Sequence, residues 1–146
     1  MYTCTKHYGH DLGLSCVFRQ HRADSHCAQL HGYPLAFTFA FGCTDPDENG
    51  WVVDFGALKP LKEWLVYHFD HTVLVAEDDP HLSLYYLLEE SKLATLRVLE
   101  RVGCEAVAKL AYEAAQLLVR DITGGRAYVL SCTVAEHGAN SATYSA

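Results

Sequence analysis

The pattern of apolar and polar positions changes twice along the chain. Three early runs, 14–23, 33–43 and 51–55, either alternate between apolar and polar residues or are rich in aromatic residues, which is typical of strands. Between the last two, the TDPDENG run at 44–50 combines Asp, Pro, Asn and Gly and predicts a turn. We therefore expect residues 33–55 to form a hairpin with a long loop.

From Gly56 onward the apolar residues follow helical spacing, which predicts a first helix over 57–69. Pro60 is compatible with this helix only near its first turn, where the missing N–H does no harm. The apolar positions are Leu58, Leu61, Leu65 and Phe69.

A second helix is predicted over 104–120, where apolar residues again recur on one face. The TGG run at 123–125 should end it, because glycine readily adopts the conformation that terminates helices. Residues 126–138 then predict a closing strand. The expected buried face of the helix consists of Val107, Leu110, Ala111, Ala114, Leu117 and Leu118.

The segment 80–100 between the two helices is ambiguous. Its first part, PHLSLYYLLEESKLA, is compatible with a short helix, and the following TLRVLERV with a strand. The order of the other elements is strand, strand, strand, helix, helix, strand. This order predicts an α+β fold in which an antiparallel four-stranded sheet carries two main helices on one face.

Composition places the chain among ordinary globular proteins. Its 146 residues suit a single domain over 1–146, with half of the residues hydrophobic and a fifth charged. The net charge of −7 and the lack of a basic run disfavour nucleic-acid binding. No run approaches the roughly 20 apolar residues of a membrane span, and the N-terminal segment lacks a secretory pattern. We therefore expect a cytoplasmic protein without membrane contact.

Cysteine and histidine are the residues that suggest chemistry. The six cysteines are scattered without a CxxC pair, which favours reduced thiols. Nine histidines are a stronger signal, because imidazole is the commonest metal ligand and the usual acid or base near neutral pH. The stretch DSHCAQLHGYPLAF at 24–37 places His26 and His31 on either side of Cys27. A metal site and a nucleophile with its base are both open at this point.

Several motifs, in this order along nearly the whole chain, resemble the 6-pyruvoyltetrahydropterin synthase and 6-carboxytetrahydropterin synthase family. That family has a first-strand His, a Cys four residues before an HGH motif, a GxxxDFxxLK motif, a DH pair and a C-terminal Glu. A segment here also resembles the family's helix start, with Gly103 and Cys104 in place of Pro-Thr. The matching segments are FRQH (18–21), CAQLHGY (27–33), GWVVDFGALK (50–59), DH (70–71), GCEAVAKLA (103–111) and AEHGANSATY (135–144).

The resemblance implies one Zn²⁺ per protomer, held by three histidines. His21 matches the first ligand and His31 the second, and residues two apart in a strand share a face, so an HGH motif aims both imidazoles at one ion. Here Tyr33 stands at the third position. Three alternatives follow: His26 supplies the third nitrogen, Tyr33 coordinates or positions a water, or the site holds no metal.

The resemblance also assigns catalytic roles. Cys27 matches the family's thiol, which moves protons as a general base or acid. Asp70 and His71 match its DH pair, which completes the proton relay. Without the resemblance, Cys27 would be interpreted as a buried apolar thiol and His71 as a cation near a helix C-terminus. If the pair lies in a strand, Asp70 and His71 point to opposite faces.

Glu136 matches the substrate anchor of the family. A pterin presents a ring N–H beside an exocyclic amine, and one carboxylate can accept both. In a half-buried strand an unpaired carboxylate is costly, so either a ligand or a structural Arg should neutralise it. Glu105 is most simply a first-turn acid of the second helix, and a pterin contact is the alternative. Asp54 is predicted to cap the first helix.

The resemblance implies a zinc-dependent 6-carboxytetrahydropterin synthase with the tunnelling fold. Such an enzyme converts 7,8-dihydroneopterin triphosphate, releases acetaldehyde and triphosphate, and serves queuosine and 7-deazapurine biosynthesis. It assembles into ring-shaped homohexamers with sites between subunits. The alternatives are a 6-pyruvoyltetrahydropterin synthase, a paralogue with another metal preference, and a pterin- or purine-binding protein with a lapsed metal site. Residues 75–100 form a longer segment than the resemblance leads us to expect.

Overall fold

The computed structural model describes all residues 1–146. It contains eight strands, three α-helices and three single-turn 3₁₀ helices at His10–Leu12, His26–Ala28 and Phe55–Leu58. The strands are β1 (Tyr2–Tyr8), β2 (Ser15–Phe18), β3 (His31–Pro34), β4 (Ala36–Cys43), β5 (Thr72–Ala76), β6 (Leu96–Leu99), β7 (Ala127–His137) and β8 (Asn140–Tyr144). The helices are α1 (Lys59–Phe69), α2 (Leu82–Glu90) and α3 (Cys104–Ile122).

A four-stranded antiparallel sheet in the order β1-β4-β7-β8 forms the centre of the molecule. In β4, Phe37, Phe39 and Phe41 lie two residues apart and are completely buried on the same face, as strand alternation requires. Helix α3 packs across β7 and β8, and α1 packs against α3. The predicted α+β fold with its antiparallel four-stranded sheet and helices is confirmed.

A second sheet, in the order β3-β2-β5-β6, was not expected from the sequence. Strands β2 and β3 pair antiparallel, whereas β5 pairs parallel with both β2 and β6. Strands β2 and β3 come from the connection between β1 and β4. The β5-α2-β6 unit comes from the connection between α1 and α3, and the long segment 75–100 contributes the end of β5, all of α2 and the edge strand β6.

Two predicted strands differ from the structure. Residues 51–55 form no strand, because Arg126 holds the carbonyls of Trp51 and Val52 at 3.2 and 2.9 Å in an irregular loop. The first predicted strand, 14–23, ends at Phe18, where the chain turns away to form side-chain contacts described below. The true partners of β4 are β1 and β7.

The helices bury the small and branched residues of their inner faces. All four apolar positions predicted for the first helix are buried, with Leu58 directly before α1 and the other three inside it. Asp54 accepts a hydrogen bond from the amide of Gly56 (2.8 Å) in the turn that precedes the helix. In α3 the predicted face is partly wrong, because Leu117 is 72% exposed while Ala108 and Ala115 are fully buried. These alanines let α3 approach the sheet closely. None of the helices is long and apolar enough to cross a lipid bilayer.

Candidate functional site

The candidate residues lie in three places. Cys27, His31 and Glu136 lie near the junction of β3, β7 and the start of α3. His21 and Glu105 line a pocket of about 720 Å³ beside the same helix start. Asp70 and His71 occupy the third place, directly after α1 and beside Ser15 at the start of β2. His26 belongs to none of them, as shown below.

On β3, His31 and Tyr33 share one face, as strand geometry predicts, and their ring centroids lie 5.6 Å apart. Both rings pack against Phe18 on the neighbouring β2, at 5.3 and 6.2 Å. His31 donates its Nδ1–H to the carbonyl of Gln29 at 2.7 Å. On its other side, Tyr33 lies 6.0 Å from the ring of His137. The result is a row of rings that leads from β2 to β7.

Glu136 is placed by an irregularity in β7. The pairing of β7 with β8 shifts register between Ala135 and His137, so Glu136 is the extra residue of a β-bulge. A bulge bends the strand and redirects the side chain that it carries. The carboxylate of Glu136 is half-buried and belongs to none of the six ion pairs of the structure. The structural arginine that would have explained Glu136 without a ligand is therefore absent.

Cys104, the first residue of α3, provides a polar neighbour for Glu136. Its buried thiol is close enough to Glu136 for the charge of that carboxylate to raise the thiol's pKa. Burial, followed by the charges of Glu136 and Glu105, raises the pKa of Cys104 to about 12. The thiol is thus protonated at neutral pH and can donate a hydrogen bond to the Glu136 carboxylate.

Tyr33 is held in its neutral form by the same surroundings. Burial is the largest cause that raises its phenol pKa, followed by the charges of Glu136, Cys27 and Cys104. These interactions show that Tyr33 lies near the carboxylate and both thiols. A neutral phenol can donate a hydrogen bond but is a poor metal ligand.

The loop that carries Cys27 is tied to the start of α3 through Gln20. The backbone amide of Gln20 donates to the carbonyl of Cys27 (2.8 Å), and its side-chain amide donates to the carbonyl of Val102 (2.9 Å). Gly103 makes this contact possible: its φ is +102°, and an added Cβ would lie 2.4 Å from the Gln20 amide nitrogen. Cys27 itself is half-buried on a 3₁₀ turn, with its amide donating to the Ser25 hydroxyl (3.2 Å).

His21 pairs with Asp78, which follows β5 in the chain. Its Nε2 bonds to Oδ1 of Asp78 at 3.0 Å, and Arg22 donates to Oδ2 of the same carboxylate at 2.7 Å. The hydrogen bond from His21, more than the charge of Arg22, lowers the pKa of Asp78. His21 is only 12% exposed and lines the 720 Å³ pocket together with Glu105.

These positions bear on the three-histidine zinc site that the resemblance implies. His26 is exposed on its 3₁₀ turn, His21 bonds to Asp78, and Tyr33 is a neutral phenol beside His31. No three side chains among His, Cys, Asp and Glu lie together in a way that could hold a metal ion. The residues present therefore do not fit a zinc ion, which needs three protein ligands around one point.

Asp70 and His71 form a close pair, contrary to the expectation that they point to opposite faces. Nδ1 of His71 lies 2.6 Å from Oδ1 of Asp70. The strand argument fails because Asp70 caps α1 and His71 adopts a left-handed conformation, with φ of +56°. His71 is 88% exposed, and its amide donates to the carbonyl of Ser15 at the start of β2. Cys27 lies beyond the far end of β2, so the strand alone separates them by about 10 Å.

Four residues near the candidate site were not identified from the sequence: Gln20, Asp78, Cys104 and His137. Cys104 directly precedes Glu105 at a helix start, which is a usable signal. Asp78 and Gln20 act through contacts between distant segments, which the sequence does not show. His137 directly follows Glu136 in the sequence. Its Nδ1 accepts from the amide of Ala139 (3.2 Å) in the turn to β8, and its ring also packs beside Tyr33.

Comparison with known proteins identifies relatives. A family model described as 6-pyruvoyl tetrahydropterin synthase matches residues 10–146. Curated proteins named 6-carboxy-5,6,7,8-tetrahydropterin synthase are similar over 83 residues, with 31% identity in Rickettsia conorii and 30% in Rickettsia felis. The matched part is 56% of this chain and 57% of each relative, so the match covers little more than half the length of these relatives.

Solved structures share the fold. An uncharacterized protein from Wolinella succinogenes superimposes with a TM-score of 0.83 at 16% identity, covering 99% of this chain and 97% of the other. The 6-pyruvoyl tetrahydropterin synthase of Plasmodium falciparum gives a TM-score of 0.65 at 13% identity, with coverage of 97% and 96%. At these identities the likeness establishes the fold alone.

Proposed function

The chain belongs to the 6-pyruvoyl tetrahydropterin synthase family, and from this premise we propose that it is a pterin-converting enzyme. Its substrate is 7,8-dihydroneopterin triphosphate, and its products are 6-carboxytetrahydropterin, acetaldehyde and triphosphate. The names of the relatives with 30–31% identity support this product over the pyruvoyl product. The active unit is a ring-forming homohexamer, and the pathway is queuosine or 7-deazapurine biosynthesis.

The unpaired carboxylate of Glu136 is the observation that carries the proposal. A bulge redirects this side chain, no cation neutralises it, and protonated donors from Cys104 and Tyr33 lie near it. A pterin can satisfy such a carboxylate through its ring N–H and exocyclic amine, in a charge-assisted pair of hydrogen bonds. Tyr33 would then lie beside the bound ring. Glu105, exposed at the start of α3, is the second candidate contact for the pterin.

Proton transfer falls to Cys27 and to the pair of Asp70 with His71. Cys27 is on the Glu136 side of the molecule, where it can move a proton at the substrate side chain. The Asp70 carboxylate fixes the His71 ring, which remains exposed and free to exchange protons. Because one chain keeps Cys27 and His71 apart, a complete relay needs His71 from a neighbouring copy. Assembly also pairs the exposed edges of β1 and β8.

A second candidate function is binding of a pterin or purine without turnover. It is favoured by the imidazoles, which do not converge on one point in this chain. Such a binder keeps the Glu136 anchor and has no need of the Cys27 and His71 relay.

Turnover with 7,8-dihydroneopterin triphosphate tests the proposal. Acetaldehyde is followed by coupling to its NADH-dependent reduction, and the pterin product is identified by mass spectrometry, with and without added zinc. We expect acetaldehyde from the wild type and a loss of at least about 100-fold in Cys27→Ala, the size expected for a lost general acid or base. Cys4→Ala, which changes a half-buried thiol on β1, is the matched control.

The outcomes separate the two candidates. Tight binding of the pterin by wild type without acetaldehyde, under either metal condition, supports the binding protein. Absence of both binding and turnover contradicts the proposal of a pterin ligand altogether.

A further inference from the structure

The segment after β2 is fixed by side chains that reach across to the segment after β5. Arg19 forms a two-pronged ion pair with Asp79, at 2.9 and 2.8 Å, and also donates to the carbonyl of Ala28 (3.0 Å). Two residues further on, His21 bonds to Asp78, and Arg22 bonds to the other oxygen of that carboxylate. Successive residues of one segment thus engage two adjacent acids of the other.

This network holds His21 at the wall of the pocket. Asp79 has a side chain only 2% exposed, so its pair with Arg19 is largely removed from water and difficult to break. For His21 to reach His31, the chain around Arg19 would have to move, or the His21–Asp78 bond would have to open and leave that carboxylate with Arg22 alone. The structure shows neither change, because Asp78 and Asp79 are both paired with residues of the segment after β2.

A carboxylate that orients an imidazole is also common around bound metals, where it contacts the nitrogen that does not face the ion. In that arrangement the other nitrogen binds the metal ion, and two further protein ligands must bind the same ion. Nδ1 of His21 has no hydrogen-bond partner, and no group of three metal-binding side chains includes it. The His21–Asp78 pair therefore lacks the companions that would make it part of a metal site.

We infer that His21 is a polar wall group of the 720 Å³ pocket, oriented by Asp78, and that this chain holds no zinc through His21, His26 and His31. The pocket beside it also contains Glu105, Arg101 and Lys109. A free imidazole Nδ1 next to these charges offers a hydrogen-bond acceptor to a polar ligand. The inference concerns whether His21, His26 and His31 hold a zinc ion, and it does not depend on whether the protein converts a pterin.

Zinc stoichiometry tests the inference without any substrate. Protein purified without chelators is analysed by inductively coupled plasma mass spectrometry and titrated with zinc against a chromophoric chelator. Wild type should hold less than about 0.1 zinc per chain, against about one for a true catalytic zinc site. His21→Ala and His31→Ala should give the same value as wild type. About one zinc per wild-type chain that is lost in both variants would overturn the inference.

The role of Asp78 is tested by ligand binding. If Asp78 orients His21 in the pocket, Asp78→Asn and His21→Ala should weaken binding of 7,8-dihydroneopterin triphosphate by similar factors, about three- to tenfold, the effect of one hydrogen bond. Glu77→Gln, an exposed neighbouring acid without an ion pair, is the matched control and should bind as wild type does. Circular dichroism confirms that each variant is folded.

The two measurements fail separately. Normal binding in both Asp78→Asn and His21→Ala contradicts the role of His21 in the pocket. No ligand binding by wild type would defeat the proposed function, while the zinc measurement would still decide whether the histidines hold a metal.

Discussion

Replacing Asp79 by Ala should destabilise the protein far more than the same change at the adjacent Asp78. The Asp79 side chain is 2% exposed and accepts two hydrogen bonds from Arg19 and one from the amide of His81 (2.8 Å). Asp78 is 45% exposed and contacts His21 and Arg22 at the surface. The two acids thus provide one chemical change in two environments.

The expected magnitude follows from burial. Removing one partner of a buried ion pair costs 3–5 kcal/mol, because the other charge stays desolvated. Arg19 keeps 17% of its side chain exposed and can regain some water, so we expect the lower end, about 3 kcal/mol. For a domain of this size that corresponds to a fall in Tm of about 6–12 °C. The pair at Asp78 is exposed and screened by solvent, so its loss should change stability far less.

Urea unfolding followed by circular dichroism measures both variants, and its pH dependence adds a second check. The hydrogen bond from Arg19 lowers the pKa of Asp79, so the folded state favours the charged carboxylate. The stabilisation is therefore complete at neutral pH and is lost as the pH falls below about 4, through the lowered folded-state pKa. Equal destabilisation by Asp79→Ala and Asp78→Ala would refute the view that the buried pair fixes this segment.

Three further predictions concern packing, the helix start and the shared site. Ala111→Leu, which overfills the close contact of α3 with the sheet, should lower the free energy of unfolding in urea by about 1–3 kcal/mol. Leu117→Ser, on the exposed face of α3, should change it by less than about 0.5 kcal/mol. Equal effects of the two variants would contradict the packing. Gly103→Ala should cost about 1–3 kcal/mol because of its positive φ, and unchanged stability would show that the backbone there is not strained. If two copies share each site, a mixture of inactive Cys27→Ala and His71→Ala chains should recover turnover after the chains are unfolded and reassembled together. Up to about a quarter of wild-type turnover is expected. No recovery would place the relay within one chain.

The sequence predicted the elements that bury continuous apolar patterns. The aromatic strand β4 and the helices α1 and α3 follow directly from periodicity. Strands β1 and β8 were missed because they lie at the edges of a sheet, where polar and exposed residues such as those of Asn140–Tyr144 replace the apolar alternation. The second sheet was missed because its strands are four or five residues long and come from two separate connections.

The candidate site was predicted in parts. The motifs identified the residues, and strand geometry placed His31 and Tyr33 on one face. The sequence could not show that β2 ends at Phe18, because the cause is the long-range pairing of Arg19 with Asp79. It also could not show the bulge at Glu136, which depends on how β7 and β8 pair.

Binding of the pterin by Glu136 is the central claim, and calorimetric titration of wild type and Glu136→Gln with 7,8-dihydroneopterin triphosphate tests it most directly. Glutamine keeps the size of the side chain but replaces one acceptor oxygen by a donor and removes the charge. We expect the variant to bind at least about tenfold more weakly than wild type, as loss of a charge-assisted hydrogen bond requires. An unchanged dissociation constant in a folded Glu136→Gln variant would contradict the account.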